Sequence, residues 1–189
     1  MNKLILYSLS LILLVFLHGC DSRKKNKESV SSPNSDLPAW ALGPFVRAQD
    51  NPVISPQEST EFFCPMQQMN IKWEESDAFN PAATVKDGKI VVLYRAEDNT
   101  FTGIGSRTSR IGYAEATDGI HMEKRSTPVL YPDDDDFKAM EWRGGCEDPR
   151  VAMTEEGLYV MLYTGWNRDN PEGAKRNPRL CVATSTDLI

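Results

Sequence analysis

Histidine is almost absent from this 189-residue chain: there are two, and His18 falls in a segment that reads as a removable leader. A zinc site of the HExxH type therefore has no ligands to draw on. A Ser-His-Asp or Cys-His nucleophile system would have to use His121, in a turn region. Cysteine is scarce as well, with four residues. Cys20 sits at the end of the leader, which leaves Cys64, Cys146 and Cys181. Three is odd, so at least one thiol stays free, and a disulfide framework is not expected. An excess of basic charge is also missing. The 21 Lys and Arg residues face 27 Asp and Glu, for a net charge of −6, which argues against nucleic acid as a partner. No stretch after Ala39 repeats its apolar residues every 3.6 positions, so long amphipathic helices are not expected. Chemistry in this chain must rest on its plentiful carboxylates, and no metal or cofactor is implied.

The N-terminus reads as a targeting segment. Lys3 precedes an apolar run from Leu4 to Leu17, interrupted only by Tyr7, Ser8 and Ser10. That run is short against the roughly 20 residues a membrane span needs. Leu17-His18-Gly19-Cys20 resembles the lipobox of bacterial lipoproteins. The resemblance implies cleavage before Cys20, lipidation of that cysteine, and a membrane-anchored protein outside the cytoplasm, in the periplasm or on the cell surface. An ordinary secretory signal with an incidental cysteine is the plainer alternative. The expected organisation is a signal peptide over 1–19, a lipidated cysteine and polar tether over 20–38, and a domain over 39–189.

An internal repeat organises that domain. Ile90-Val91-Val92-Leu93-Tyr94 aligns with Tyr159-Val160-Met161-Leu162-Tyr163, and Arg110-Ile111-Gly112-Tyr113-Ala114 with Arg179-Leu180-Cys181-Val182-Ala183, at one constant offset. Thr117-Asp118 answers Thr186-Asp187 at the same offset. Asn80-Pro81 and Asp148-Pro149 differ from it by a single residue. Each unit holds strands rich in β-branched and aromatic residues, with Asp87-Gly88, Asp118-Gly119 and Glu156-Gly157 as turns. Repeated antiparallel sheets of this kind bury their faces by radial stacking, so an all-β propeller is expected. A propeller needs at least four blades, so the chain is expected to cover two to three blades of a longer protein, and to be inactive by itself.

Four separated motifs give a family resemblance. Phe79-Asn80-Pro81-Ala82, Leu93-Tyr94-Arg95-Ala96, Ser109-Arg110-Ile111-Gly112 with Thr117-Asp118-Gly119, and Gly144-Gly145-Cys146-Glu147-Asp148-Pro149-Arg150 are similar to those of glycoside hydrolase family 130. The resemblance implies a five-bladed β-propeller with a central site for β-mannosides, in an inverting hydrolase or a mannosyl phosphorylase. It further implies that Asp148 is the general acid, delivering its proton by way of a sugar hydroxyl, and that Asn80 and Arg95 hold the non-reducing mannose.

The residue chemistry agrees in outline. Glycosidic cleavage needs a carboxylic acid kept protonated near neutral pH. Pro149 biases Asp148 toward extended backbone, and Gly144-Gly145 permits a turn before it. Strand alternation sends Glu147 and Asp148 to opposite faces, so Glu147 is expected to pair with a cation behind the site. Arg95 and Asn80 suit vicinal sugar hydroxyls. Arg95 could equally pair with Glu97 or Asp98, and Asn80 could cap a turn. Arg150 is open between substrate binding and holding Glu147. Trp142 and Trp166 suit sugar stacking or, preferably, packing between blades. Asp133 to Asp136 reads as a solvated turn, lacking the spaced ligands of a calcium loop. Gly103-Ile104-Gly105 has no following helix to cradle phosphate.

Three functions are compared. Hydrolysis of β-mannosidic linkages comes first, because a sugar phosphate made outside the inner membrane is hard to recover. Phosphorolysis releasing mannose 1-phosphate comes second, and a non-catalytic glycan-binding propeller third. The catalytic base is not identifiable from these residues.

Overall fold

Runs of β-branched and aromatic residues form nine strands among residues 45–100, 106–168 and 178–189, which the computed structural model of the protein describes. The leader, Cys20, most of the tether and Gly103-Ile104-Gly105 lie outside these residues. The strands are β1 (Phe62–Cys64), β2 (Met69–Ile71), β3 (Asp77–Lys86), β4 (Lys89–Glu97), β5 (Ser109–Ala116), β6 (Glu123–Lys124), β7 (Gly145–Met153), β8 (Tyr159–Trp166) and β9 (Pro178–Ser185). One short helix, α1 (Lys138–Glu141), precedes β7. The all-β expectation holds, with that helical turn as the exception among the described residues. Arg47 to Ile189 make one compact unit.

Two antiparallel meanders carry the repeat. β3, β4 and β5 form the first, and β7, β8 and β9 the second. Turn chemistry sets the first register. Asp87 and Gly88 both have left-handed backbone, with φ of 50° and 76°, so a two-residue hairpin closes Lys86 onto Lys89. The meanders meet through one parallel pairing, Ser109 opposite Gly145. β6 and the Ile111–Leu130 bridge cover the free edge of β5.

Each meander breaks its register at its X-Pro pair. The β3–β4 ladder skips between Phe79 and Ala82, and the β7–β8 ladder between Glu147 and Arg150. Asn80 and Asp148 occupy these bulges with φ of 46° and 53°. The expectation that Pro149 holds Asp148 extended is therefore corrected. A bulge turns its extra residue out of the pleat, and Asn and Asp tolerate the left-handed region better than other side chains.

Packing is head-to-tail. Val91, Leu93, Ile111 and Tyr113 of the first meander are buried against Tyr159, Met161, Tyr163, Cys146 and Cys181 of the second. At about 1.5–3 kcal/mol for each large apolar side chain, this contact is a principal source of stability. The opposite face of the first meander, with Tyr94, Ala96 and Ala114, packs under Phe62, Cys64 and Trp73. Glu74 ties that layer down. It is fully buried and accepts from the Thr60 hydroxyl at 2.7 Å, the Tyr94 hydroxyl at 2.8 Å and the Lys124 ammonium at 2.8 Å. Cys64, Cys146 and Cys181 are all buried free thiols.

The junction between meanders tolerates no side chain. A Cβ at Gly145 would lie 2.0 Å from the Ser109 carbonyl oxygen and 2.5 Å from its amide nitrogen, and φ is +102°. Backbone cannot move aside as a flexible side chain can. Gly145→Ala in the full-length protein should therefore cost roughly 2–4 kcal/mol, read as a lower urea midpoint. An unchanged midpoint would show that the Ser109–Gly145 pairing does not hold the meanders together.

Candidate active site

Arg95 gathers the site. It lies on β4 two residues before Glu97, so both side chains leave the same face of the strand. Its guanidinium is buried and its donors go in three directions. Nε donates to Ser109 Oγ at 3.0 Å, Nη2 to Glu97 Oε1 at 2.6 Å and Glu147 Oε1 at 3.0 Å, and Nη1 to Asp148 Oδ1 at 3.1 Å. The Phe79 ring lies under the guanidinium carbon at 4.6 Å. Asn80 Nδ2 reaches the same Asp148 Oδ1 at 2.8 Å.

The structure thus brings Asn80, Arg95 and Asp148 together, from equivalent bulges in the two repeats and the strand between. Asn80 is exposed, the Asp148 side chain is 38 % exposed, and Arg95 is buried beneath them. Both donors converge on Oδ1 of Asp148. Among the described residues no group bonds its Oδ2, so one carboxyl oxygen is fixed and the other open. Arg95 also makes the anticipated pair with Glu97, while Asp98 goes to Arg110 at 2.9 Å. Arg150 stands apart: it is exposed and donates to the Pro149 carbonyl at 2.6 Å. The cations on Glu147 are Arg95 and Arg168, the latter at 3.3 Å.

Glu147 has the cation partner expected of it, and only its face needs correcting. Alternation put it behind the strand, away from Asp148, yet both carboxylates meet one guanidinium. The register break after Glu147 is the reason, because period-2 alternation fails across a bulge. Ser109 and Arg168 are participants that sequence reasoning missed. Ser109 could have been found from the repeat motif that it opens. Arg168 had no comparable sign.

Charge is unbalanced within the cluster: Glu97, Glu147 and Asp148 face Arg95 and Arg168. Burial pushes the Glu147 carboxyl above its usual range. Arg95 and Arg168 oppose that rise, and Asp148 and Glu97 add to it. Glu97 Oε2 is buried with no partner among the described residues. A site this rich in carboxylate, fenced by guanidinium and open at one oxygen, is suited to proton transfer.

The other sequence candidates are peripheral. Trp166 is half-buried, packs where a Cβ on Gly144 would lie 2.1 Å from its ring, and has the Arg168 guanidinium 5.7 Å away. Asp133 and Asp135 accept from nearby backbone amides, and Asp134 pairs with Lys138. His121 is exposed and pairs with Asp118 at 2.6 Å.

Comparison with known proteins gives the family. Residues 44–189 match the family of glycoside hydrolase 130 enzymes described as beta-1,4-mannooligosaccharide phosphorylase. The chain belongs to glycoside hydrolase family 130. It is 33% identical over 144 residues to the 1,2-beta-oligomannan phosphorylase of Thermoanaerobacter sp. (strain X514), covering 76% of this chain and 42% of that one. A glycosyl hydrolase structure from Bacteroides ovatus is 58% identical, with a TM-score of 0.74, covering 80% of this chain and 41% of that one. Another structure is 61% identical with a TM-score of 0.74, over 80% of this chain and 41% of that one. It comes under the words "The GH130 family of mannoside phosphorylases contains glycoside hydrolases that target beta-1,2 mannosidic linkages in Candida mannan". The chain therefore spans less than half the length of these relatives.

The position of Glu147 has a pH consequence. A carboxyl raised above its unfolded value of 4.5 binds more protons in the native state, so its contribution is fully present below pH 4.5 and is lost as pH rises through the raised value. Glu147→Gln should flatten the stability profile of the full-length protein over that window, measured as unfolding midpoints from pH 4 to 7. Parallel profiles for the two proteins would show that Glu147 titrates normally.

Proposed function

We propose that the full-length protein cleaves β-mannosidic bonds with inversion, with Asp148 as general acid and Asn80 and Arg95 shaping the mannose-binding centre. The observation that carries this is the convergence of Asn80 Nδ2 and Arg95 Nη1 on one oxygen of Asp148, in a chain of family 130. In the reaction the acceptor oxygen attacks the anomeric carbon from the face opposite the leaving group. The glycosidic C–O bond breaks, a proton passes from Asp148 by way of a sugar hydroxyl to the leaving oxygen, and where water is the acceptor its own proton goes to a second carboxylate, the base that an inverting hydrolase needs. A positioned acid contributes typically about 10²–10⁴-fold to such a step.

The acceptor has two readings. The family description and the curated Thermoanaerobacter relative are both phosphorylases, which supports phosphate and puts the second sequence-based reading ahead of the first. One specific observation favours water: the chain is 61% identical to a structure described with family hydrolases of β-1,2-mannosidic linkages. Sugar release in phosphate-free buffer distinguishes the two, since mannose supports hydrolysis and strictly phosphate-dependent mannose 1-phosphate supports phosphorolysis. Export as a lipoprotein, anchored through Cys20, belongs to the same proposal and suits an extracellular β-mannoside substrate.

For the architecture we propose a propeller, with five blades as the family resemblance implies. In the second meander, Leu162, Leu180 and Val182 occupy the repeat positions of Leu93, Ile111 and Tyr113, yet are 40%, 76% and 58% exposed. A third unit stacked as the second stacks on the first would cover them. Leu180→Asp in the full-length protein should cost about 2–4 kcal/mol, seen as a lower thermal midpoint. A midpoint equal to wild type would mean that nothing packs there.

The acid assignment predicts a leaving-group effect. Asp148→Asn should slow a β-1,2-linked mannobiose far more than p-nitrophenyl β-mannoside, whose leaving group needs little protonation, while KM changes little. Equal slowing of both substrates, or of neither, would make Asp148 a structural residue.

A further inference from the structure

We propose that Glu147 is a positioning residue of the reaction, acting through Arg95 to hold Asp148 with one carboxyl oxygen fixed and the other free to give its proton. The proposal rests on reading Asp148 as the acid, and it adds a role for a residue that touches no substrate.

A guanidinium on a strand can rotate about its long side chain, and a single partner leaves it several rotamers. Here Nε is held by Ser109 Oγ, and Nη2 by Glu97 Oε1 and Glu147 Oε1 together. Fixing those nitrogens fixes the plane of the fork, so Nη1 has one direction left, toward Asp148 Oδ1. Ser109 Oγ also lies 3.0 Å from Glu97 Oε1 and 3.3 Å from Glu147 Oε1, which closes the ring behind the guanidinium.

Glu147 is set apart from Glu97 by where it sits. It is the residue immediately before Asp148, at the start of the bulge, and Arg168 holds it from the far side. Its charge therefore weighs directly on Asp148. The groups facing it are Arg95 and Glu97 from β4, Ser109 from β5, Asp148 from its own strand and Arg168 beyond β8. Neutralising Glu147 weakens one of the two carboxylate contacts that hold Nη2, and with it the brace nearest Asp148.

The test uses the full-length enzyme and β-1,2-linked mannobiose. Glu147→Gln should lower kcat by about tenfold with KM within twofold. Glu147→Asp, which keeps the charge, should recover part of kcat. Ser109→Ala, which removes one brace on the guanidinium and no charge, should lower kcat modestly with KM unchanged, and serves if Glu147→Gln does not fold. Wild-type kcat in Glu147→Gln, or a loss shared equally by KM, would overturn the proposal, as would wild-type kcat in Ser109→Ala where that variant stands in. Asp148→Asn reports separately: its leaving-group effect can stand while the Glu147 proposal falls. If that effect is absent, the acid reading itself fails.

Discussion

One buried guanidinium organises the centre of this molecule. Arg95 is reached by groups from four of the strands that make up the two meanders: Phe79 of β3, Glu97 of its own strand, Ser109 of β5, and Glu147 and Asp148 of β7. A charge out of water is costly unless its donors are matched, and here each nitrogen of the fork has an acceptor. The two meanders are joined in backbone by a single parallel pairing, and the side-chain bonds of Arg95 are a polar link beside the Asn80–Asp148 bond and the packed apolar faces. The link that stabilises the fold also orients Asp148.

The repeat explains why the site is where it is. Two copies of one sheet unit each place an X-Pro bulge at the same point, and the bulge residue leaves the pleat. In one copy that residue is Asn80 and in the other Asp148, and they meet at 2.8 Å. A duplicated structural irregularity has been given two chemistries, an amide donor and a carboxyl. The bulges cost backbone strain, which the surrounding ladders of eight paired positions in β4–β5 and β8–β9 can hold in place.

Much of this was legible in the sequence, and the exceptions share a cause. The offset between Val91 and Val160, or Ile111 and Leu180, located the strands because buried strand positions repeat with the unit. Asn80, Arg95 and Asp148 could be singled out from motifs. The relation of Glu147 to Asp148 could not, because alternation assumes an unbroken pleat and the register slips at that dipeptide. The effect of Pro149 was misjudged for the same reason: the local preference for extended backbone yields to the bulge. Glu74 was missed because a buried carboxylate between distant donors, Thr60, Tyr94 and Lys124, leaves no local pattern. Family membership could be read early because the motifs that carry it are the bulges and the strands that flank them.

We propose that Asn80, Arg95 and Asp148 form the centre that binds and protonates a β-mannoside. A crystal structure of the full-length protein with β-1,2-mannobiose tests it most directly. The terminal mannose should lie over the two bulges, with Asp148 Oδ2 in hydrogen-bond distance of the glycosidic oxygen or of a hydroxyl beside it. A disaccharide bound elsewhere, with Asp148 Oδ2 facing solvent or the protein interior, would contradict it.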